Sequence, residues 1–121
     1  GDFDKAMIKL VKRYKVLEDS YAWNLAMDEC NKTMVFSHGN LLFVFNWHPT
    51  ASIPDYELPV QAPGKYVPLL STDERRFGGQ QRQAMDAEHF SFPARDGDNT
   101  ERPHIRIYNT SRTATVFLRE E

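Results

Sequence analysis

Four histidines are the first residues of this sequence that could do chemistry, because a β-sandwich can hold a cluster of imidazoles around a metal ion. Their spacing does not favour such a site, since no two of them form an H-x-H or H-E-x-x-H pair. One lies in a predicted turn, and another precedes a proline in a loop. We therefore predict isolated structural or surface histidines and no metal site. The four residues are His38, His48, His89 and His104.

Neighbouring carboxylates could support glycoside chemistry, which needs two acidic groups at a controlled separation. Asp73 with Glu74, and Asp86 with Glu88, are the pairs at hand. Proximity in a loop does not define that separation, and any solvated loop has the same composition. The sequence also lacks the G-x-S-x-G turn that presents a nucleophilic serine. The stretch Phe77-Gly78-Gly79 lacks the Lys-Ser/Thr ending of a phosphate loop and is interpreted as a turn. We predict no catalytic residue.

Aromatic side chains support carbohydrate binding better than the histidines support a metal site or the carboxylates support catalysis. Flat rings stack on the C–H faces of pyranoses, while amides and charges meet the hydroxyls. Trp47 and Tyr56 are our candidate carbohydrate contacts, and Trp23 and Tyr66 are further platforms. The competing interpretation is that each ring fills a core or an interface. We favour it for Trp47, which shares a predicted strand face with two phenylalanines.

Length and composition indicate the class of protein to which these residues belong. The 121 residues fit one domain, and a formal net charge of -2 gives no broad basic field, so we expect no nucleic-acid partner. No apolar run is long enough to span a membrane, so we expect no membrane partner. The single cysteine, Cys30, cannot form an internal disulfide, which favours a reducing, cytoplasmic compartment. We predict no cofactor.

The chain divides into three segments by its apolar patterning. Residues 1–20 carry apolar side chains at helical spacing after N-terminal aspartates, which predicts an amphipathic helix over 4–17 with its lysines in water. Residues 21–33 show no persistent period and are interpreted as a connector. In residues 34–121, short apolar or alternating runs are separated by glycine, proline, asparagine and aspartate, which is typical of strands.

These runs predict an antiparallel β-sandwich of Greek-key type with about seven or eight strands and one N-terminal helix. Gly39-Asn40 predicts the tight turn of a β-hairpin, because both residues tolerate a positive φ. The strand after this turn is apolar on both faces, so we expect it to be central. The predicted strands are 34–37, 41–47, 56–60, 65–71, 89–92, 105–109 and 113–119.

Eight consecutive residues, Leu42-Phe43-Val44-Phe45-Asn46-Trp47-His48-Pro49, resemble a motif of the C-terminal all-β domain of α-1,4-glucan branching enzymes in the α-amylase superfamily. The usual form is L-F-V-F-N-F-H-P, so Trp47 stands where phenylalanine is usual. Asp2-Phe3-Asp4-Lys5-Ala6-Met7 resembles the family's D-F-D-x-A-M, where the last helix of the catalytic barrel begins. Further elements resemble the family's and follow in its order: Asp55-Tyr56, Pro63-Gly64-Lys65-Tyr66, Leu70-Ser71-Thr72-Asp73, Arg76-Phe77-Gly78-Gly79 with Arg82, Arg102-Pro103-His104, Tyr108 and Ser111-Arg112-Thr113-Ala114.

The resemblance implies a fragment of a multidomain enzyme. Such enzymes cleave an α-1,4-glucan, hold it as a covalent glycosyl intermediate and transfer it to a 6-hydroxyl to make an α-1,6 branch. Their catalytic carboxylates lie on a (β/α)8 barrel of about 250 residues or more, which this chain cannot contain, so no catalytic residue carries over. The start at Gly1 also suggests a boundary within a longer protein, with Gly1 left by a tag.

The leading hypothesis is therefore a non-catalytic β-sandwich that braces the barrel of a glycogen- or starch-branching enzyme, with the barrel as its partner. The alternative is an autonomous module that binds α-glucan, such as glycogen or starch, within a related α-amylase superfamily enzyme. A third hypothesis, an independent small enzyme, lacks a constellation of catalytic residues to support it.

Overall fold

The computed structural model describes residues 5–6, 8–9, 22–95 and 98–120, and within them the chain forms a sandwich of two antiparallel β-sheets. This confirms the predicted mainly β fold. The strands are β1 Ala22–Asp28, β2 Thr33–His38, β3 Leu41–Asn46, β4 Ile53–Pro59, β5 Lys65–Ser71, β6 His89–Phe90, β7 Phe92–Arg95, β8 Glu101–Asn109 and β9 Thr113–Glu120. One sheet has the order β1-β2-β3-β9-β5-β6, and the other has the order β4-β8-β7.

The sandwich core lies between the two sheets. It is built by alternate side chains of the six-stranded sheet facing alternate side chains of β4 and β8. The β2–β3 hairpin has the predicted two-residue turn, in which Gly39 adopts a φ of 62°. β3 lies between β2 and β9, which confirms that it is central. The buried core residues are Val35, Leu42, Val44, Leu58, Val60, Tyr66, Ile105, Ile107 and Phe117.

A second apolar cluster covers the opposite side of the six-stranded sheet, and we call it the outer apolar face. Side chains alternate along β3, so Leu41 and Phe43 point away from the sandwich core and into this cluster. Phe36 of β2 stacks on Phe43 with ring centroids 4.7 Å apart. The outer apolar face consists of the buried residues Leu41, Phe43, Leu70 and Val116 and the partly buried residues Ala6, Phe36, Phe45, Leu69, Phe77 and Leu118.

Only a small part of the predicted N-terminal helix can be compared with the structure. Residues 5–6 and 8–9 are helical, and Ala6 packs against the outer apolar face. The rest of the predicted helix over 4–17, and most of the segment 1–20, lie outside the described residues. Within the described part of the chain, no helix has the length and apolar character needed to cross a membrane.

The interpretation of 21–33 as a connector is wrong over most of its length, because β1 occupies Ala22–Asp28. β1 forms an antiparallel pair with β2, and the register shifts between Asn24 and Ala26. Such a bulge places two successive residues against one partner, so it interrupts the alternation by which a strand is recognised in sequence. The two strands are joined by a turn at residues 29–32.

The single strand predicted over 89–92 is two strands in different sheets. β6 pairs with β5 in the six-stranded sheet, and β7 pairs with β8 in the other. The chain changes sheet at Ser91, whose backbone N–H donates to the Gly64 carbonyl at 2.9 Å. The Ser91 Oγ accepts a hydrogen bond from the Gly64 N–H at 2.8 Å. This reciprocal pair fixes the crossing point to the turn before β5.

His89, directly before this crossing, predicts a pH-dependent stability. Its Nδ1 lies 2.9 Å from the Arg106 carbonyl oxygen, its ring edge meets Phe117, and its Nε2 is buried without a partner among the described residues. Burial lowers the pKa of His89 below its ordinary value of 6.5, which the bond to Arg106 offsets only in part. The unfolded chain therefore binds a proton at a higher pH than the folded chain does.

We expect the free energy of unfolding to fall as the pH drops below about 6.5, and the loss to be complete below the folded-state pKa. Urea denaturation between pH 7.5 and 5.5 measures this slope. A His89→Phe variant removes the unpaired Nε2 and the titration together. Equal slopes for the variant and the parent chain would assign the pH dependence to groups other than His89.

Candidate functional site

Trp47 lies on the surface at one end of the sandwich. β3 ends at Asn46, which pairs with Thr33 and Thr113, and Trp47 follows as the first residue of a loop. Its N–H donates to the Lys32 carbonyl at 3.0 Å, which holds the backbone against the β1–β2 turn, while the residue is 49% exposed. Trp47 therefore does not fill the core, because the strand face it was assigned to ends one residue earlier, and its role at an interface stays a prediction.

His48 stabilises the loop that carries Trp47. Its N–H donates to Asn46 Oδ1 at 2.9 Å, and its Nδ1 accepts hydrogen bonds from the N–H groups of Thr50 and Ala51 at 3.1 and 2.9 Å. These two donors require the lone pair on Nδ1, so the ring proton of the neutral form is on Nε2. His48 is thus a loop-capping residue, as expected of a structural histidine.

Tyr56 is half-buried and engaged within the protein. Its ring packs against the sandwich core, and its hydroxyl donates to Asp28 Oδ2 at 2.7 Å. Asp28 also accepts hydrogen bonds from the Asn31 N–H and Nδ2. Burial raises the pKa of Asp28, but these bonds outweigh it and leave the pKa below its ordinary value. Burial, and then the bond to Asp28, raise the pKa of Tyr56. The phenol therefore ties β4 to the β1–β2 turn.

The other two aromatic platforms named from the sequence are Trp23 and Tyr66. Trp23 belongs to β1, and its side chain lies outside what the structure describes. Tyr66 is 3% exposed in the sandwich core, and its hydroxyl donates to the Ala62 carbonyl at 2.7 Å. Burial raises the pKa of Tyr66. Tyr66 is thus a core residue and cannot stack on a sugar.

A buried ion pair, which we call the Asp73–Arg82 clamp, holds three loops together at the same end. The Asp73 side chain is 1% exposed, and its Oδ1 accepts from Arg82 Nε at 2.9 Å. Its Oδ2 accepts from the backbone N–H groups of Arg82 and Gln83 at 2.6 and 2.9 Å. Arg82 Nη1 and Nη2 reach Ser111 Oγ and the Ser111 carbonyl, and Nη1 also contacts Ser52 Oγ.

The turn inside this clamp has the predicted form. Gly78 adopts a φ of 85°, and a Cβ on Gly79 would overlap the backbone of Asp73. Glu74 Oε2 accepts from the Ser71 N–H at 3.0 Å, and its carboxylate pairs with Arg76. The adjacent carboxylates of Asp73 and Glu74 are thus both used to hold the loop. The clamp was not predicted from the sequence, although Arg82 and Asp73 both belong to the motifs that carry the family resemblance.

The remaining candidates are not brought together. His89 lies in β6, and His104 lies in β8 with its Nδ1 2.9 Å from the Arg102 carbonyl oxygen. Among the described residues, no group of three or more histidines, cysteines or carboxylates could hold a metal ion. Glu88 pairs with Lys65 at 2.7 Å, and Cys30 is an exposed free thiol.

Comparisons with known proteins agree with this arrangement. The family model described as the alpha amylase C-terminal all-beta domain matches residues 23–120. The chain is 38% identical over 117 residues to the 1,4-alpha-glucan-branching enzyme 2-2, chloroplastic/amyloplastic, of Arabidopsis thaliana, covering 96% of this chain and 14% of the relative. It is 35% identical to the 1,4-alpha-glucan-branching enzyme of Saccharomyces cerevisiae, covering 100% of this chain and 17% of the relative.

The enzyme of the same name from Rhizophagus irregularis is 37% identical over 97% of this chain and 17% of the relative. The chain thus spans only 14% to 17% of the length of these relatives. The family model begins inside β1, in agreement with the strand that the sequence analysis missed. The sandwich fold and the match over residues 23–120 place this chain in the family of alpha-amylase C-terminal all-beta domains.

Proposed function

We propose that this chain is the C-terminal β-sandwich of a 1,4-α-glucan branching enzyme and that it braces the catalytic barrel without taking part in the chemistry. The observation that carries the proposal is the outer apolar face. A sandwich needs apolar residues only on the faces where its sheets meet, yet the six-stranded sheet is apolar on both faces. The centre of this face is already buried within the chain, where Ala6 packs against it, so the part left for a barrel of the same protein to cover is its exposed rim.

The exposed rim of this surface supports the same proposal. Met27 of β1 pairs with Met34, which pairs with Phe45 of the outer apolar face, and Met27 is 50% exposed. Methionine adapts its shape to a partner surface and is common at such contacts. Ala6, in the segment that resembles the last barrel helix, packs against the outer apolar face.

A chimera tests the bracing role. In it, this chain replaces the segment of the Saccharomyces cerevisiae relative that it matches, and branching activity and the thermal midpoint are measured. We expect Met27→Lys to weaken docking by about 2 kcal/mol, because a charge would enter an apolar contact. The free energy of unfolding of the isolated variant should lie within about 0.5 kcal/mol of that of the parent chain, since Met27 is half exposed.

Tyr108→Lys is the matched control. Tyr108 is 39% exposed on β8 of the three-stranded sheet, away from the outer apolar face. The control chimera should keep the activity and midpoint of the unmutated chimera. Equal losses of branching activity and thermal midpoint for both variants, or no such loss for Met27→Lys, would contradict docking through the six-stranded sheet.

A second candidate function is α-glucan binding by the sandwich itself, and the exposure of Trp47 favours it. Of our two candidate contacts, Trp47 offers a free ring face, whereas Tyr56 is committed to Asp28 and the core. Electrophoresis of the chain through gels containing glycogen tests this function. Trp47→Ala should lose retardation, and Trp47→Phe, which keeps an aromatic ring, should retain most of it. Equal mobility of the parent chain and an inert protein would remove this candidate.

A further inference from the structure

The outer apolar face becomes uncovered toward one corner, where β3 ends. Leu41 and Phe43, in the first half of β3, are buried on this face, and Phe45 is partly buried. Trp47, two residues further, is 49% exposed. Burial thus decreases along one side of a single strand, and the uncovered corner ends at Trp47.

Trp47 belongs to this side of the sheet although it lies one residue past β3. Its N–H bond to the Lys32 carbonyl extends the β2–β3 register by one pair, since Asn46 pairs with Thr33. Successive side chains of an extended chain point to opposite faces, and the Asn46 side chain bonds to Asn109 of the other sheet. The Cα–Cβ bond of Trp47 therefore points away from the sandwich core, toward the side of the outer apolar face.

Two buried asparagines, which we call the Asn46–Asn109 pair, fix the backbone around Trp47. Each residue is 2% exposed, and Asn46 Nδ2 donates to Asn109 Oδ1 at 3.2 Å. Asn46 Oδ1 accepts the N–H of His48, directly after Trp47, at 2.9 Å. Asn109 Nδ2 donates to Thr33 Oγ1 at 2.9 Å, next to the turn that lies opposite Trp47. The loop and the turn on the two sides of Trp47 are thus joined through one buried pair.

An exposed tryptophan on a fixed backbone is suited to anchor an interface. Tryptophan is enriched among the residues that contribute most to binding, and a preformed contact loses little conformational entropy when the partner arrives. Buried amides add little net stability after desolvation, but a fully bonded pair restricts the backbone to one arrangement. Positioning of Trp47 therefore gives the Asn46–Asn109 pair a role beyond the stability of the fold.

We infer that Trp47 anchors the sandwich to the catalytic barrel of its own protein and that the Asn46–Asn109 pair positions it. The choice of the barrel rests on the proposed function. Ala6, in the segment that resembles the last barrel helix, already packs against the outer apolar face, so the uncovered corner continues a surface that this segment covers in part. The chain spans only 14% to 17% of its relatives, so a branching enzyme of their length has most of its residues outside this domain.

The chimera with the Saccharomyces cerevisiae relative tests this inference. We expect Trp47→Ala to shorten the half-life of its branching activity under heating about tenfold, because an interface anchor is lost. Trp47→Phe keeps an aromatic ring and should shorten it less than about threefold. The thermal midpoint of the isolated chain should change by less than about 3 °C, since the ring is exposed.

Phe90→Ala is the matched control for this substitution. Phe90 is 66% exposed on β6, at the opposite edge of the same sheet. Its loss should leave the half-life of the chimera unchanged. Equal losses for Trp47→Ala and Phe90→Ala would contradict an anchor at the Trp47 corner.

A double-mutant cycle tests the positioning role of the Asn46–Asn109 pair. Asn109→Ser removes the amide that holds Asn46, so it should shorten the half-life of the chimera in any background. If Asn109 acts through Trp47, this shortening should be about threefold smaller when Trp47→Ala is already present. The same shortening in both backgrounds would make Asn109 a residue of the fold alone and would remove its positioning role.

The remaining outcomes separate this inference from the proposed function. An unchanged half-life for Trp47→Ala, beside a loss for Met27→Lys, would leave the bracing role standing and remove Trp47 as its anchor. An unchanged half-life together with lost retardation in glycogen gels would make Trp47 a glucan contact instead. If the chimera does not fold, alanine at the position of the relative that matches Trp47 gives the same readout, and an unchanged half-life there would equally overturn the inference.

Discussion

Replacing Asp73 with alanine should lower the free energy of unfolding by about 3–5 kcal/mol, the usual cost of removing one partner from a buried ion pair. The Asp73 side chain is 1% exposed and accepts three N–H groups, two from the Arg82 residue and one from Gln83. Without the carboxylate these donors lose their acceptor, and the guanidinium of Arg82, 26% exposed, loses its counter-charge. The total free energy of unfolding of a domain is about 5–15 kcal/mol, so the variant should be barely folded.

Urea denaturation at pH 7 measures this effect, and the same loop offers a matched control. Asp86 is exposed, so Asp86→Ala should stay within about 0.5 kcal/mol of the parent chain. Asp73→Asn, which keeps one acceptor oxygen, should fall between the two. A loss below about 1 kcal/mol for Asp73→Ala would mean that the loops at this end are held by other contacts, such as the Ser52 Oγ bond to the Ser111 N–H.

Strands with long apolar runs could be predicted from sequence, although β5 contains Pro68 and a register shift. The expected strand over 65–71 coincides with β5, and the expected hairpin coincides with β2 and β3 apart from single residues at the ends. These segments have uninterrupted apolar runs that end in turn residues, and both faces of β3 are covered. In these segments the pattern of apolar residues and the positions of the turn residues indicate the same strands, so local sequence was sufficient to predict them.

Strands in which proline or a bulge interrupts the alternation of side chains were predicted poorly. β7 beyond Phe92 and the first part of β8 lie outside the predicted strands, since Pro93 and Pro103 interrupt them. The two prolines face each other in the β7–β8 pair, in a position where neither backbone needs an N–H. The bulge in β1 had the same effect. Proline is compatible with a strand where its missing N–H has no partner in the ladder, at the sheet edge in β7 and before the register with β4 begins in β8.

The candidate site was only partly accessible from sequence. The exposure of Trp47 depends on a one-residue difference in where β3 ends, which lies within the uncertainty of any strand boundary read from sequence. The bond between Tyr56 and Asp28 joins residues 28 positions apart, and no local pattern predicts it. The Asp73–Arg82 clamp is a similar case. Its residues were recognised through the family motifs, while their mutual contact became evident only in the fold.

The two apolar faces of the six-stranded sheet have different dependences on the rest of the protein. The sandwich core is closed by β4 and β8, so its stability belongs to this chain. The rim of the outer apolar face, where Met27 is 50% exposed, is the surface that we propose the barrel covers, so part of the stabilising effect of this rim would appear only in the whole enzyme. Substitutions in the core should therefore act equally in the isolated chain and in the chimera, whereas Met27→Lys should act mainly in the chimera.

Phe117→Ala is the core substitution from which we expect the largest loss, about 3–5 kcal/mol. Phe117 is 0% exposed and lies in β9, where it pairs with Leu42 of β3 and Pro68 of β5. Its ring also meets the edge of His89 at 5.7 Å between centroids. Truncation leaves a cavity between the sheets that rigid β pairing on both sides of β9 prevents from closing.

Urea denaturation of the isolated chain, together with the thermal midpoint of the chimera, checks this prediction. Phe117→Leu is the control, since it keeps most of the buried volume and should cost about 1–2 kcal/mol. We expect Phe117→Ala to destabilise both the isolated chain and the chimera, and Met27→Lys to destabilise the chimera alone. This difference would separate folding of the sandwich from its docking. A Phe117→Ala chain as stable as the parent would contradict a core closed between the two sheets, because an unfilled cavity at its centre cannot be neutral.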